Sequence, residues 1–325
     1  MLGGLAVLSF LGTFAAVRLL LLPFGQFALD EPNARSLHER PVPRTGGIGV
    51  LLGGAISLGF GAVQLWLPMI IALCLAVVSF LDDLRGMPTG VRLLSHFAAA
   101  ALLVYYTLAP MHPAELTVLI VAVVWITNLY NFMDGSDGLA GGMAVIGLGA
   151  YGVAAYAAGN MPLVALSLAL AAASAAFLIH NFHPARIFLG DVGSIPLGFL
   201  AAALGIVGWR DDSWPLWFPV LVFAPFIGDA TITLAKRVLR GERVWQPHRE
   251  HYYQRMVRMG LGHRGTAFVA YSVMVACVVA ALFGRSQAGT VQGAVFLGAA
   301  VALVLMALWV DIRWARFIRA AELRS

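Results

Sequence analysis

Charge is what this sequence lacks most. Charged residues occupy 11% of its 325 positions, against roughly 25% in an ordinary soluble domain. With 60% hydrophobic residues, that scarcity excludes a soluble globular chain and points to the membrane class. Cysteine is nearly absent too. Cys74 and Cys277 are the two present, both within apolar stretches far apart in sequence, which excludes a disulfide framework or a cysteine-based metal site. No internal repeat, low-complexity tract or soluble domain is visible. The longest polar stretch, about 236–265, is too short for a core of its own. The first apolar stretch has no basic n-region, is long for a signal h-region, and precedes no small-x-small cleavage site, so it is expected to be retained.

What the chain has instead is a succession of apolar stretches near the length that crosses ~30 Å of hydrocarbon. Eleven are predicted: about 2–22, 46–63, 66–82, 93–110, 114–130, 138–158, 161–180, 194–209, 215–235, 266–284 and 289–311. The expected fold is an all-α polytopic bundle forming one integral membrane domain over 1–325. Its polar loops fall at about 30–45, 83–92, 131–137, 181–193 and 236–265. The stretches at 46–63 and 194–209 are short and glycine-rich. With the amino terminus outside, 18 of the 21 Lys and Arg residues fall on the inner side or in the tail, as the positive-inside rule requires. A bacterial inner membrane, with the carboxyl terminus and the active site at the cytoplasmic face, is the expected location. The net charge of +5 is explained by this topology, by anionic lipid and by an anionic substrate, so no nucleic-acid partner is expected.

Against this background the acids stand out. A carboxylate near hydrocarbon costs roughly several kcal/mol unless water, metal or ligand partners it, which makes it a functional hypothesis. Three islands at separated span ends, all on the inner side, predict one polar site. The first is Asp82-Asp83. Neighbours on a helix point about 100° apart, so the two acids suit separate tasks, one facing the site and one holding Arg85 or Arg92. Ordinary salt bridges at a helix end are the plainer reading, although an acidic pair at a helix C-terminus opposes the macrodipole. The second is Asn128-Leu-Tyr-Asn131-Phe-Met-Asp134-Gly-Ser-Asp137-Gly-Leu-Ala140. Gly135 and Gly138 predict that the helix breaks after about Asn131 and wraps the later acids around a common point. The third is Asn181 followed by Phe188-Leu-Gly-Asp191-Val-Gly-Ser194, where Gly190 and Gly193 permit a tight turn and Ser194 could cap the next helix.

Two loops add basic and aromatic residues. One runs from Asn33 through Arg35, His38 and Arg44 to Gly47. The other holds Arg243-Val-Trp-Gln-Pro247-His248-Arg249-Glu250-His251-Tyr252-Tyr253-Gln-Arg255. Arg and His beside aromatic rings suit phosphate recognition and stacking better than zinc, because the flanking arginines repel a cation. A solvated basic loop is the plainer alternative for each. Asp229, inside the ninth span, is read either as a structural anchor or as a site residue.

Taken together, the Asp-Asp pair, the Asn-x-x-Asn-x-x-Asp-Gly-x-Asp-Gly-Leu-Ala run and the Phe-x-Gly-Asp-x-Gly-Ser motif resemble the polyprenyl-phosphate N-acetylhexosamine-1-phosphate transferases, glycosyltransferase family 4. The resemblance runs from Asn33 to about His263. It implies transfer of a sugar-1-phosphate from a UDP-N-acetylhexosamine to undecaprenyl phosphate with release of UMP, initiating cell-envelope glycan synthesis such as O-antigen. It also implies a Mg²⁺ cofactor, with Mn²⁺ as the alternative, and a homodimer in some members. By motif position it implies Asp191 and Asn131 as metal ligands. Asp134 and Asp137 would contact the nucleotide or organise the site. Phe188 would stack on uracil, with Asn128 and Asn181 helping to hold the nucleotide, and His38, Arg44, His248, Arg249 and His251 would bind phosphates or sugar. Asp82 and Asp83 would act as a base or as organisers of the lipid-phosphate site. The second role is favoured, because a phosphate monoester with a second pKa near ~6 is largely ionised unaided.

The chain departs from the lipid I-forming branch, which carries three consecutive histidines where this sequence has His248-Arg-Glu-His251. Its eleventh span and Arg-rich tail depart as well. A small N-acetylated hexosamine donor is therefore expected in place of the MurNAc-pentapeptide. The rival from another class is a transporter of a phosphorylated substrate. That reading needs a polar route on both sides, and the outer half offers little beyond Arg210, Asp211 and Asp212.

Overall fold

The computed structural model describes residues 2–22, 28–32, 37, 40–244, 246 and 248–323. The chain is helical almost throughout. The helices are α1 (Leu2–Leu20), α2 (Gly46–Ala55), α3 (Trp66–Arg85), α4 (Thr89–Leu108), α5 (Pro113–Phe132), α6 (Leu139–Ala158), α7 (Met161–Asn181), α8 (Asp191–Arg210), α9 (Trp217–Val222), α10 (Ala224–Leu239), α11 (Tyr252–Met256), α12 (Gly262–Gly284) and α13 (Gly289–Glu322). A two-residue antiparallel pair, β1 (Leu29–Asp30) with β2 (Val42–Pro43), closes the first loop. Among the described residues nine helical stretches are long and apolar enough to cross a membrane, so the protein is an all-α, multi-pass membrane bundle. The remaining two predicted spans correspond to the shorter Gly46–Phe60 stretch, which ends in a 3₁₀ turn, and to α9 with α10.

That last span is broken, contrary to the continuous helix expected over 215–235. Pro225 lacks an N–H, and its ring crowds the carbonyl four residues back, so the helix interrupts at Phe223 and restarts at Ala224. Other starts follow their caps. The His112 imidazole accepts from Ala114 N ahead of Pro113, and Asn160 accepts from Leu163 N at the head of α7. The short, glycine-rich stretch at 194–209 proves to be a full helix beginning at Asp191.

Burial identifies the centre. In α8, 94% of the apolar stretch is buried, against 6% in α13. α8 packs on α2, α3, α5 and α6, while α7 packs on α1, α2 and α6. The ends of α3, α5, α7 and α10 and the start of α8 are therefore gathered at one end of the bundle, with the loops that join them.

Candidate active site

The start of α8 is fixed by backbone pairing with the first loop. Phe188 N donates to Pro43 O at 2.7 Å, and Gly46 N and Gly47 N donate to Phe188 O and Leu189 O, each at 2.9 Å. Gly190 then turns the chain at φ +70°, where a Cβ would stand 2.0 Å from Arg44 O. Only glycine meets both demands. Asp191 follows as the first residue of α8, at the positive end of the helix dipole. Ser194 does not cap α8 as expected. It lies in the first turn, where its hydroxyl donates to Asn131 Oδ1 at 3.0 Å and joins α8 to the end of α5. Gly193 likewise serves close packing rather than the turn.

A cavity of about 580 Å³ opens here, lined by Asn128, Asn131, Asp134, Asp137, Asn181, Phe188, Asp191, Arg44, Arg92, Gln246, His248, His251, Gln254 and His263, with Asp30 and Leu37. Two of the three islands, the Asn128–Asp137 run and the Asn181–Asp191 segment, thus meet in one space. α5 ends at Phe132, one residue past the expected break. Asn131 lines the same cavity as Asp191. Asp134 is held above the ordinary carboxylate range, first by burial and then by the charges of Asp191 and Asp30. The Asp134 and Asp191 carboxylates and the Asn131 amide line one cavity, a hard-oxygen donor set of the kind that suits a divalent cation.

The Asp82–Asp83 pair behaves differently from its neighbours. Neither carboxylate is among the residues lining the cavity. Each instead grips an arginine that is. Asp82 Oδ2 holds Arg92 at 2.9 Å and its Oδ1 accepts from Met87 N at 2.6 Å, while Asp83 pairs with Arg44 at 3.3 Å. Arg92 also reaches Asp191 at 3.9 Å. The two directions expected of adjacent helix residues are therefore taken up by two cations, and Arg85 is exposed.

Asp137 turns away from Asp134. Its Oδ2 accepts from His183 Nδ1 at 2.6 Å and from Ala185 N at 3.1 Å. His263 stacks on His183, with ring centres 5.2 Å apart and planes within 7°. Because Asp137 N–H points at His263 Nδ1, that nitrogen is the acceptor, and Nε2–H donates to Leu37 O at 3.2 Å. Asp137, His183 and His263 bring three potential ligand atoms within 4.8 Å of one another. His183 Nδ1 is bonded to the Asp137 carboxylate, and His263 Nδ1 already accepts from Asp137 N and faces the Ser136 hydroxyl, so the trio ties four segments together. Asn181 does similar work, accepting from Gly138 N at 3.0 Å and donating to Ile187 O at 2.9 Å.

The second basic loop is anchored by Asp229, which settles the alternatives left open for that residue. Its carboxylate accepts from Tyr252 N at 2.9 Å, Tyr253 N at 3.0 Å and His251 Nδ1 at 3.1 Å. It thereby holds the start of α11 and aims His251 at the cavity. His248 Nδ1 accepts from Glu250 N at 3.3 Å. Burial, then the charges of His251 and Arg237, lower its imidazole pKa to about 4, so it is neutral at physiological pH. Arg249 is half-buried and does not line the cavity. His38 lies outside the described residues.

Residues 65–209 match the sequence profile of glycosyl transferase family 4. The "Probable undecaprenyl-phosphate N-acetylglucosaminyl 1-phosphate transferase" of Bacillus subtilis is 31% identical over 267 residues, covering 76% of this chain and 74% of that protein. This chain belongs to glycosyl transferase family 4. Two further members are each 27% identical to it. The decaprenyl-phosphate N-acetylglucosaminephosphotransferase of Mycobacterium tuberculosis aligns over 82% of this chain and 77% of its own length. The phospho-N-acetylmuramoyl-pentapeptide-transferase of Halalkalibacterium halodurans aligns over 71% and 81%.

Within this family 4 chain, sequence reasoning missed Arg92 and His263 of the cavity wall, and His183 stacked behind His263. Arg92 was visible only as a partner for the acid pair. His263 sits in a Gly-Leu-Gly-His-Arg run that opens α12, and His183 lies two residues past Asn181. Neither histidine carries a local pattern that links it to Asp137.

Proposed function

We propose that this family 4 protein transfers an N-acetylhexosamine-1-phosphate from a UDP-sugar to polyprenyl phosphate, giving polyprenyl-diphosphate-sugar and UMP. The observation that carries this reading is the convergence of Asn131, Asp134 and Asp191 with Arg44 and Arg92 on one cavity at the loop-bearing end of an apolar bundle. A polar cavity at a bundle end would admit a nucleotide sugar from solution and a lipid phosphate from the membrane. In the proposed orientation, with the amino terminus outside a bacterial inner membrane, that end is cytoplasmic.

In this reaction an oxygen of the lipid phosphate attacks the β-phosphorus of the UDP-sugar. A new P–O bond forms, the pyrophosphate P–O bond breaks, and UMP leaves with the bonding pair. The attacking phosphate is already ionised at neutral pH, so the chain's main task is to hold anions in line. Arg92 and Arg44, each fixed by a buried aspartate, are suited to bind phosphate oxygens. Phe188, with its backbone pinned on both sides, offers a face for the uracil ring, and His251 is positioned to donate to phosphate or sugar. Asp191, Asn131 and Asp134 would hold Mg²⁺ or Mn²⁺. A bound divalent cation supplies neutralisation of the diphosphate and its developing charge. A small N-acetylhexosamine is favoured over the MurNAc-pentapeptide by the His248-Arg-Glu-His251 sequence and by the relatives named for N-acetylglucosamine phosphate transfer.

The test is UMP release by purified, detergent-solubilised protein with undecaprenyl phosphate, Mg²⁺ and a panel of UDP-sugars, beside Asp191→Asn. One UDP-N-acetylhexosamine is expected to give lipid- and Mg²⁺-dependent UMP, and the variant to lose on the order of 10²-fold. Preference for the MurNAc-pentapeptide donor would move the chain to the lipid I-type reaction, and no release with any donor would overturn the transferase reading.

A further inference from the structure

α13 is an odd helix to find in this bundle. At 34 residues it is about 51 Å long, well beyond what ~30 Å of hydrocarbon needs, yet Val310 is its one buried residue among those described. The next residue is an acid. Asp311 Oδ1 accepts from Arg255 Nη1 at 2.9 Å, and its Oδ2 pairs with Lys236 and accepts from the Tyr252 hydroxyl at 3.2 Å. Lys236 also donates to that hydroxyl at 2.7 Å. Trp314, one turn on, lies under the guanidinium groups of Arg255 and Arg258 at 5.8 and 4.8 Å. Besides packing on α12 and α9, α13 thus makes a charged attachment to α11 and the end of α10.

α11 reaches into the candidate site. His251 and Gln254 line the cavity, and the Tyr253 hydroxyl donates to Phe132 O at 3.1 Å, next to the loop that bears Asp134. Asp229 grips only the first turn of this five-residue helix. Its other side depends on Asp311. Arg255 is buried, and its alternative acceptor, Glu250 at 3.6 Å, is already shared by Arg237 and Arg240. Without Asp311, Lys236 and Arg255 would face each other across Tyr252 with no carboxylate between them.

We propose that Asp311 is a positioning residue of the substrate loop, and that α13 serves as the strut through which the far carboxyl-terminal end of the chain sets His251 and Gln254 in the cavity. The kinetic part of this proposal rests on the transferase reading; the loop-ordering part does not.

The experiment uses the full-length protein in detergent with Asp311→Asn, Asp311→Glu and Tyr252→Phe, and with Val310→Ala as a packing control on the same helix. Trypsin cleavage within 236–265, thermal midpoint, and kcat and KM for the UDP-sugar are measured together. Asp311→Asn is expected to cleave about tenfold faster in the loop and to raise the donor KM about tenfold, with kcat within about twofold. Its thermal midpoint should fall no further than that of Val310→Ala. Tyr252→Phe should shift cleavage and KM in the same direction by less, and Asp311→Glu should recover most of both. Unchanged cleavage and KM in Asp311→Asn overturn the proposal. So does a fall in midpoint and kcat that merely parallels Val310→Ala. If wild-type protein releases no UMP, the transferase reading fails, and the cleavage rates alone then decide the role of Asp311.

Discussion

Gly47 and Gly193 meet backbone to backbone. A Cβ on Gly47 would stand 2.2 Å from Gly193 Cα and 2.4 Å from its nitrogen, and a Cβ on Gly193 would stand 2.5 Å from Gly47 Cα. This crossing of α2 and α8 lies directly behind the pairing that registers Arg44 against Phe188 and Asp191. No side-chain rotation can relieve a clash between main chains. Gly47→Ala is therefore expected to cost about 1–3 kcal/mol or more, lower the thermal midpoint and reduce transferase activity. Gly149→Ala, where a Cβ meets nothing within 4 Å, should do neither. Thermal midpoints by fluorescence-detected size exclusion make the comparison, and a tolerant Gly47→Ala would show that α2 can move off α8.

His263, stacked on His183 beside Asp137, shapes the cavity wall with both of its ring nitrogens engaged. His263→Ala releases the Leu37 carbonyl and leaves Asp137 N and the Ser136 hydroxyl without their acceptor. The expected result is a donor KM raised about tenfold with kcat little changed, which corresponds to roughly 1.4 kcal/mol of uniform binding. A fall in kcat at unchanged KM, measured by steady-state UMP release, would instead place His263 at the reacting centre.

His248 makes a pH prediction with a definite sign. Its folded pKa of about 4 lies below the unfolded value near ~6.5. The unfolded chain therefore takes up a proton that the folded loop refuses. The contribution of His248 to stability is intact above about pH 6.5 and declines as the pH falls toward 4. Because the loop is partly open to solvent, the effect is a modest one. Between pH 6.5 and 4 the thermal midpoint of wild type should fall more steeply than that of His248→Gln, and parallel curves would refute the assignment. With this imidazole neutral, Arg44 and Arg92 are the arginines that line the cavity. His248→Gln should then cost less donor affinity than Arg44→Gln.

Much of this protein could be read from its sequence, for reasons that are local. Apolar runs of membrane length show where helices cross, since a spanning segment must satisfy its backbone internally. Gly135 and Gly138 mark where α5 must stop, and Pro225 breaks the ninth span, although the apolar run hides that break. The acidic islands pointed to a polar site because isolated carboxylates are costly near hydrocarbon, although only two of the three line the cavity. Partnership was another matter. Whether Asp82 and Asp83 face the cavity or hold arginines, whether Asp137 meets Asp134 or two histidines, and whether the tail acid Asp311 touches the substrate loop all depend on contacts between residues far apart in the chain. Helical periodicity relates a residue only to neighbours three or four places away, so the sequence by itself determined the helices, their breaks and the presence of a charged site, while the packing of α2, α8, α11 and α13 alone decided which charges meet.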